Sequence, residues 1–109
     1  MTGHNMNQNL ANHTQLLDMA RVMALASGAK QVILFGSAAR GTATPDSDLD
    51  FLLILEDNAD GFSAGMAAFE VMPEHIPLDI VPMSESTFKN GSNQLARIVA
   101  REGAVLYAR

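Results

Sequence analysis

The sequence has no cysteine, which excludes disulfide bridges, thiolate zinc sites and thiol nucleophiles together. Basic residues are scarce. Seven Lys and Arg stand against twelve Asp and Glu, a formal charge of -5, so an extended cationic face for tracking nucleic acid is not expected. Long hydrophobic runs are also missing: Phe51 to Leu55 is typical of the longest, far short of the roughly 20 residues that cross a bilayer. Residues 1–15 are polar and lack the basic and apolar regions of a secretory leader. These absences predict a cytoplasmic protein without a membrane partner. At 109 residues, 48% hydrophobic and 17% charged, with neither a repeat nor a low-complexity linker, the chain reads as one globular domain over 14–109. The Asn- and Gln-rich stretch from Met1 to His13 is expected to be a frayed tail.

Several elements follow from periodicity. Leu16, Leu17, Ala20, Met23 and Ala24 recur at helical spacing between a Thr14 cap and Gly28. Gln31 to Phe35 reads as a buried strand stopped by Gly36, and Ala38 to Ser47 as turn chemistry throughout. Asp48 to Leu55 resumes a strand. A helix capped by Asp60 or Ser63 carries Phe62, Met66 and Phe69 on one face and ends before Pro73. Pro77 to Val81 is a third strand, unusual in setting Asp79 inside an apolar run. Ser84 opens a helical stretch broken near Gly91, and Ser92 caps another with Leu95, Ile98 and Val99 as its stripe. Gly103 stops that helix before a short strand, Ala104 to Tyr107.

Alternation along a strand points Asp48 and Asp50 the same way, with Cα atoms roughly 6 to 7 Å apart. That spacing suits cations about 3.5 to 4 Å from each other, as in two-metal phosphoryl chemistry. Carboxylate ligands favour a hard ion such as magnesium, which binds through few carboxylates plus substrate phosphates. Asp79 is the natural third member, because an ionised carboxylate in an apolar strand needs a cation, a partner or solvent. Gly36 permits close backbone approach to phosphate, Ser37 adds an amide and a hydroxyl, and Arg40 is placed to neutralise triphosphate charge. Lys30 is a weaker candidate for the same task.

Gly36-Ser37, ten intervening residues, Asp48-Leu49-Asp50 and then Asp79 on a later strand resemble the motif of the DNA polymerase β-like nucleotidyltransferase superfamily. Phe35-Gly36-Ser37-Ala38-Ala39-Arg40-Gly41-Thr42-Ala43 and Ser47-Asp48-Leu49-Asp50 further resemble the minimal nucleotidyltransferase (MNT) family, as does the ending Glu102-Gly103-Ala104-Val105-Leu106-Tyr107. The resemblance implies an α/β fold with a small mixed sheet packed with helices. It also implies transfer of a nucleoside monophosphate, AMP from ATP, to an acceptor hydroxyl with release of pyrophosphate. Asp48 and Asp50 would bind two Mg2+ ions, and Asp79 would join them and activate the acceptor. Ala38 departs from the family pattern, since many relatives carry arginine there. Members this small pair with HEPN-domain toxins as antitoxins, some by transferring AMP to a toxin tyrosine. A HEPN toxin partner is therefore expected. Two alternatives are an antitoxin that neutralises its partner by binding alone, and an enzyme acting on a small molecule or an RNA 3′ end.

Blander readings of the same residues are weaker. Asp46, Asp48 and Asp50 mimic the opening of a calcium loop, but Phe51 and Asp57 stand where that loop needs glycine and glutamate. Gly36 to Gly41 has the spacing of a P-loop, yet Thr42-Ala43 replaces the required lysine and hydroxyl residue. His4 and His13 fall in the expected tail and His75 in the Pro73 to Pro77 turn without a second ligand at useful spacing, so all three read as solvated. Arg97 and Arg101 fit helix termination. The methionines fit core filling, with Met66, Met72 and Met83 as candidates for a partner interface.

Overall fold

The computed structural model describes residues 12–109, so residues 1–11 of the expected tail lie outside the described residues. The first helix, α1, runs His13–Ser27, and its cap is Asn12, not Thr14. The Asn12 side chain accepts from the Gln15 amide while Gln15 Oε1 accepts from the Asn12 amide, both at 2.8 Å. This reciprocal box satisfies two helix-end donors where threonine would satisfy one. Strand β1 is Gln31–Phe35, and a single helical turn, α2, covers Ser37–Arg40, overlapping the start of the segment expected to be all turn. Then follow β2 (Leu49–Leu55), α3 (Gly61–Glu70), β3 (Leu78–Ser84), α4 (Glu85–Asn90), α5 (Gln94–Glu102) and β4 (Ala104–Ala108). Asp60 caps α3 and Ser84 caps α4, as the sequence suggests. Asn93 caps α5 in place of Ser92, its side chain accepting from the Ala96 amide at 3.0 Å.

The four strands form one mixed sheet in the order β3-β2-β1-β4. β2 pairs antiparallel with β1 and parallel with β3, the parallel step being carried by α3. β4 pairs antiparallel with β1 through a shift between Val32 and Ile33. The alternation of β2 divides the core. Leu49, Phe51, Leu53 and Leu55 face α1 and α3, packing with Met19, Ala20, Met23, Ala64 and Ala68. Leu52 and Ile54 face the other way, with Ile33, Met83, Ala96 and Val99. A strand buried on both faces reads as a nearly continuous apolar run, which β2 is.

Two packing expectations change. Phe62, Met66 and Phe69 do share a face of α3, but that face is exposed, at 78%, 46% and 55% of each residue's area. The side of α3 that packs inward is built from Ala64 and Ala68, because small residues let the helix lie close to α1 and the sheet. Met66 is thus an outward methionine, whereas Met72 and Met83 are core. Gly103 is needed for a similar reason of space. A Cβ there would lie 2.6 Å from both Ile33 Cγ2 and the Val99 carbonyl oxygen. Its absence lets the end of α5 press onto β1.

Candidate active site

The register of the sheet assembles the acidic residues. Leu49 donates its amide to the Pro77 carbonyl at 3.0 Å, fixing the start of β2 beside the approach to β3. Asp50 is then the direct cross-strand partner of Asp79. Residues paired across neighbouring strands point to the same face, with backbones about 4.8 Å apart. Asp48, expected to open the strand, lies just before β2, and its charge acts on Asp50. Farther along that face, α4 and α5 cover Leu52 and Ile54. At its Asp50 end the face opens: Asp48 and Asp79 are exposed and Asp50 is half-buried.

On the other side of β2, Asp50 pairs with Phe35, the last residue of β1, which brings Gly36 against the Asp50 carboxylate. A Cβ on Gly36 would overlap Asp50 Oδ2 outright and stand 3.1 Å from its Cγ. Gly36 also has φ 76° and ψ -156°, a conformation essentially confined to glycine. Both space and backbone therefore demand glycine here. α2 starts at Ser37, its first turn closed by the Arg40 amide to the Gly36 carbonyl at 3.1 Å. Thr42 returns its amide to the Ser37 carbonyl at 2.9 Å, and Ser47 closes onto Thr44 at 3.0 Å, so the loop leading to Asp48 is internally bonded.

Burial is the largest influence on Asp50 and pushes its carboxyl above the usual range. Asp79 and then Asp48 push it further, and Arg40 opposes them. Ionised, this mouth carries more negative charge than its one nearby cation balances. Among the described residues no three acidic or histidine side chains are gathered into a ready-made cage, as expected of carboxylates that repel one another. The donor set is nonetheless all oxygen, open to solvent on one side, and suits a hard divalent cation that keeps some of its waters.

Not every sequence candidate reaches this end of the sheet. Arg40 does, held by Glu102 at the end of α5 with Nη1 to Oε1 at 3.6 Å. Lys30 does not: it immediately precedes β1, whose other end leads into Gly36. Its Nζ is bound to Glu85 at 2.7 Å and lies 3.7 Å from Glu56. Arg97 donates to the Gly91 carbonyl at 2.8 Å, closing the end of α4 instead of its own helix. Glu102 was not singled out by spacing, because its relation to Arg40 exists only once α5 folds over β1. The acid immediately before Gly103 was the available signal.

An α/β chain whose mixed sheet sets paired carboxylates beside a strand-ending glycine belongs, by architecture and site, with nucleotidyl-transferring proteins. Residues 21–106 match the nucleotidyltransferase domain family, and the chain belongs to that family. It is therefore a nucleotidyltransferase. It is 33% identical over 79 residues, 72% of this chain and 78% of the relative, to a protein of Methanocaldococcus jannaschii provisionally named a protein adenylyltransferase. Solved structures agree on the fold. A provisionally named nucleotidyltransferase from Sulfolobus solfataricus superposes with TM-score 0.60 at 18% identity, covering 89% of this chain and 84% of that one. A chain of a toxin-antitoxin structure with AMP-PNP gives TM-score 0.57 at 19% identity, covering 91% and 75%. A chain of a mutant toxin-antitoxin MntA-HpeT structure gives 0.57 at 18% identity over the same shares.

Proposed function

We propose that this chain is a magnesium-dependent adenylyltransferase that moves AMP from ATP to a hydroxyl of a protein partner, working in the cytoplasm as the antitoxin of a toxin pair. The partner is a HEPN-domain toxin and the acceptor a tyrosine of it. The observation that carries the reading is the β2 and β3 register, which pairs Asp50 with Asp79 beside Gly36. The name of the archaeal relative supports a protein acceptor, and the toxin-antitoxin neighbours support a toxin partner. Asp48 and Asp50 would hold the ions and Asp79 would join them. Divalent ions bound there would neutralise phosphate charge and favour departure of pyrophosphate. Gly36 lets the phosphates approach the backbone, Ser37 offers its amide and hydroxyl, and Arg40 meets the developing charge. Asp79 takes the proton of the acceptor hydroxyl as the oxygen attacks the α-phosphorus. The new oxygen–phosphorus bond forms as the bond to pyrophosphate breaks.

The test is incubation with labelled ATP, magnesium and the purified partner, with mass spectrometry of the partner for added AMP. Asp48→Asn is expected to abolish transfer with its circular dichroism unchanged. Asp79→Asn is expected to lower the rate by roughly 10²- to 10⁴-fold, the usual worth of a positioned proton acceptor. Near-normal transfer by a folded Asp48→Asn protein would remove the assignment. Protection of cells by a triple Asp48, Asp50 and Asp79 variant would favour neutralisation by contact alone.

A further inference from the structure

The outward face of α3 has no role in the chemistry above, yet Phe62, Met66 and Phe69 expose a stripe at positions i, i+4 and i+7. Beneath the stripe, between α3 and the edge strand β3, runs a groove of about 310 Å³ whose lining includes Gly65, Ile80 and Pro82 and which reaches Asp79. A second hollow of about 330 Å³ shares Phe69 and Leu78 with it and is bordered by Glu70 and Glu74. Several large apolar side chains exposed together mark a surface that something covers. Proline at 82 has no amide to offer, so an added strand would find the edge of β3 interrupted. Apolar side chains entering from a partner helix or turn fit better.

Charge identifies the occupant. From Gly41 to Phe88 the sequence has no lysine or arginine, and every Asp and Glu of the chain except Asp18 and Glu102 lies there. Asp57, Asp60, Glu70, Glu74 and Asp79 are all exposed. Among the described residues none of these five lies in an ion pair, the seven pairs present using other acids. We propose that the α3 and β3 groove docks a cationic, apolar-anchored segment of the protein that receives the nucleotide. A second copy of this chain would bring like charge to an acidic surface. Residues 1–11 contain no lysine or arginine and do not supply the complement.

The inference rests on the reading that the acceptor is a protein, but its test needs no transfer. The probe is a fluorescent synthetic peptide of about fifteen residues carrying leucine and tyrosine at i, i+4 and i+7 on a lysine background, followed by anisotropy without ATP. Gly65→Gln fills the groove while keeping the helix, since a Cβ there meets Pro82 Cγ only at 3.8 Å. Phe62→Ser with Phe69→Ser removes the stripe from an exposed surface. Each is expected to weaken peptide binding by about tenfold or more while Mg-ATP binding is unchanged. A glutamate-background peptide is expected to bind at least about tenfold less tightly than the lysine one. Equal binding by parent and Gly65→Gln protein overturns the proposal. So does equal binding of a lysine peptide without apolar anchors. A parent dimer that Gly65→Gln dissolves assigns the groove to a second copy, and tighter peptide binding after deletion of residues 1–11 assigns it to the chain itself; either result also overturns it. Loss of transfer in the labelled-ATP assay with peptide binding intact would count against the catalytic reading alone.

Discussion

At Gly36 two demands coincide: a positive φ and the absence of any atom where Asp50 Oδ2 lies. Gly36→Ala is expected to cost about 1–3 kcal/mol, because a side chain strains this positive-φ backbone and the Asp50 carboxylate must move. Urea unfolding would measure the loss, and transfer activity should fall with it. Asp50 itself illustrates a site maintained against stability. Its carboxyl is raised above the ordinary 3.8, by burial first and by Asp79 and Asp48 after it. The folded state therefore holds this proton more tightly than the unfolded chain. Stability of the metal-free protein from this group is highest below pH 3.8 and falls as pH rises through the higher folded value. Asp50→Asn is expected to raise the Tm of metal-free protein at neutral pH and to lose that advantage in acid. Thermal melts across the pH range check the sign, and a Tm below the parent's at pH 7 would contradict it.

Among the elements, β2 was legible because burial on both faces leaves a continuous apolar run, with carboxylates only where the covering helices stop. β3 was legible as a strand, and the meaning of Asp79 within it came from a motif resemblance that the parallel register then made geometrical. α3 was legible as a helix but its orientation was not. Size of side chain conceals which face packs: two alanines sit inside while two phenylalanines and a methionine face out. The one-turn α2 hid among turn-forming residues, since four residues offer no periodicity to read. The ion pairs of Lys30 with Glu85 and of Arg40 with Glu102 join segments distant in sequence, which local patterns do not reveal. Gly103 connects this scale to the site, because it brings α5 onto β1 and Glu102 to Arg40. Gly103→Ala is expected to cost about 1–3 kcal/mol by overpacking Ile33 and Val99, measured by urea unfolding. Should the stability be unchanged, the close seating of α5 on β1 is not a constraint.

Taken whole, the molecule separates its charges along the sequence, with the acids concentrated between Gly41 and Phe88 and the bases outside that span. A uniform mixture of signs would serve solubility equally well. Segregation leaves one region with uncompensated negative charge, and the carboxylates of β2 and β3 lie within it. Such a region should gain stability from any cation, but binding at a specific site and general screening differ in how they depend on ion identity and concentration. Magnesium is expected to raise the Tm of the parent along the logarithmic curve of binding to the folded state, reaching about 2.7 kcal/mol at a concentration 100 times the dissociation constant. Sodium chloride at matched ionic strength should give only the gradual rise of screening. Asp48→Asn keeps nearly all of the acidic span while removing one proposed ligand, so its response to magnesium should shrink to that of sodium. If the variant instead gains as much stability from magnesium as the parent does, the stabilising ion is held elsewhere in the acidic span and the carboxylates at the mouth of β2 are not its ligands.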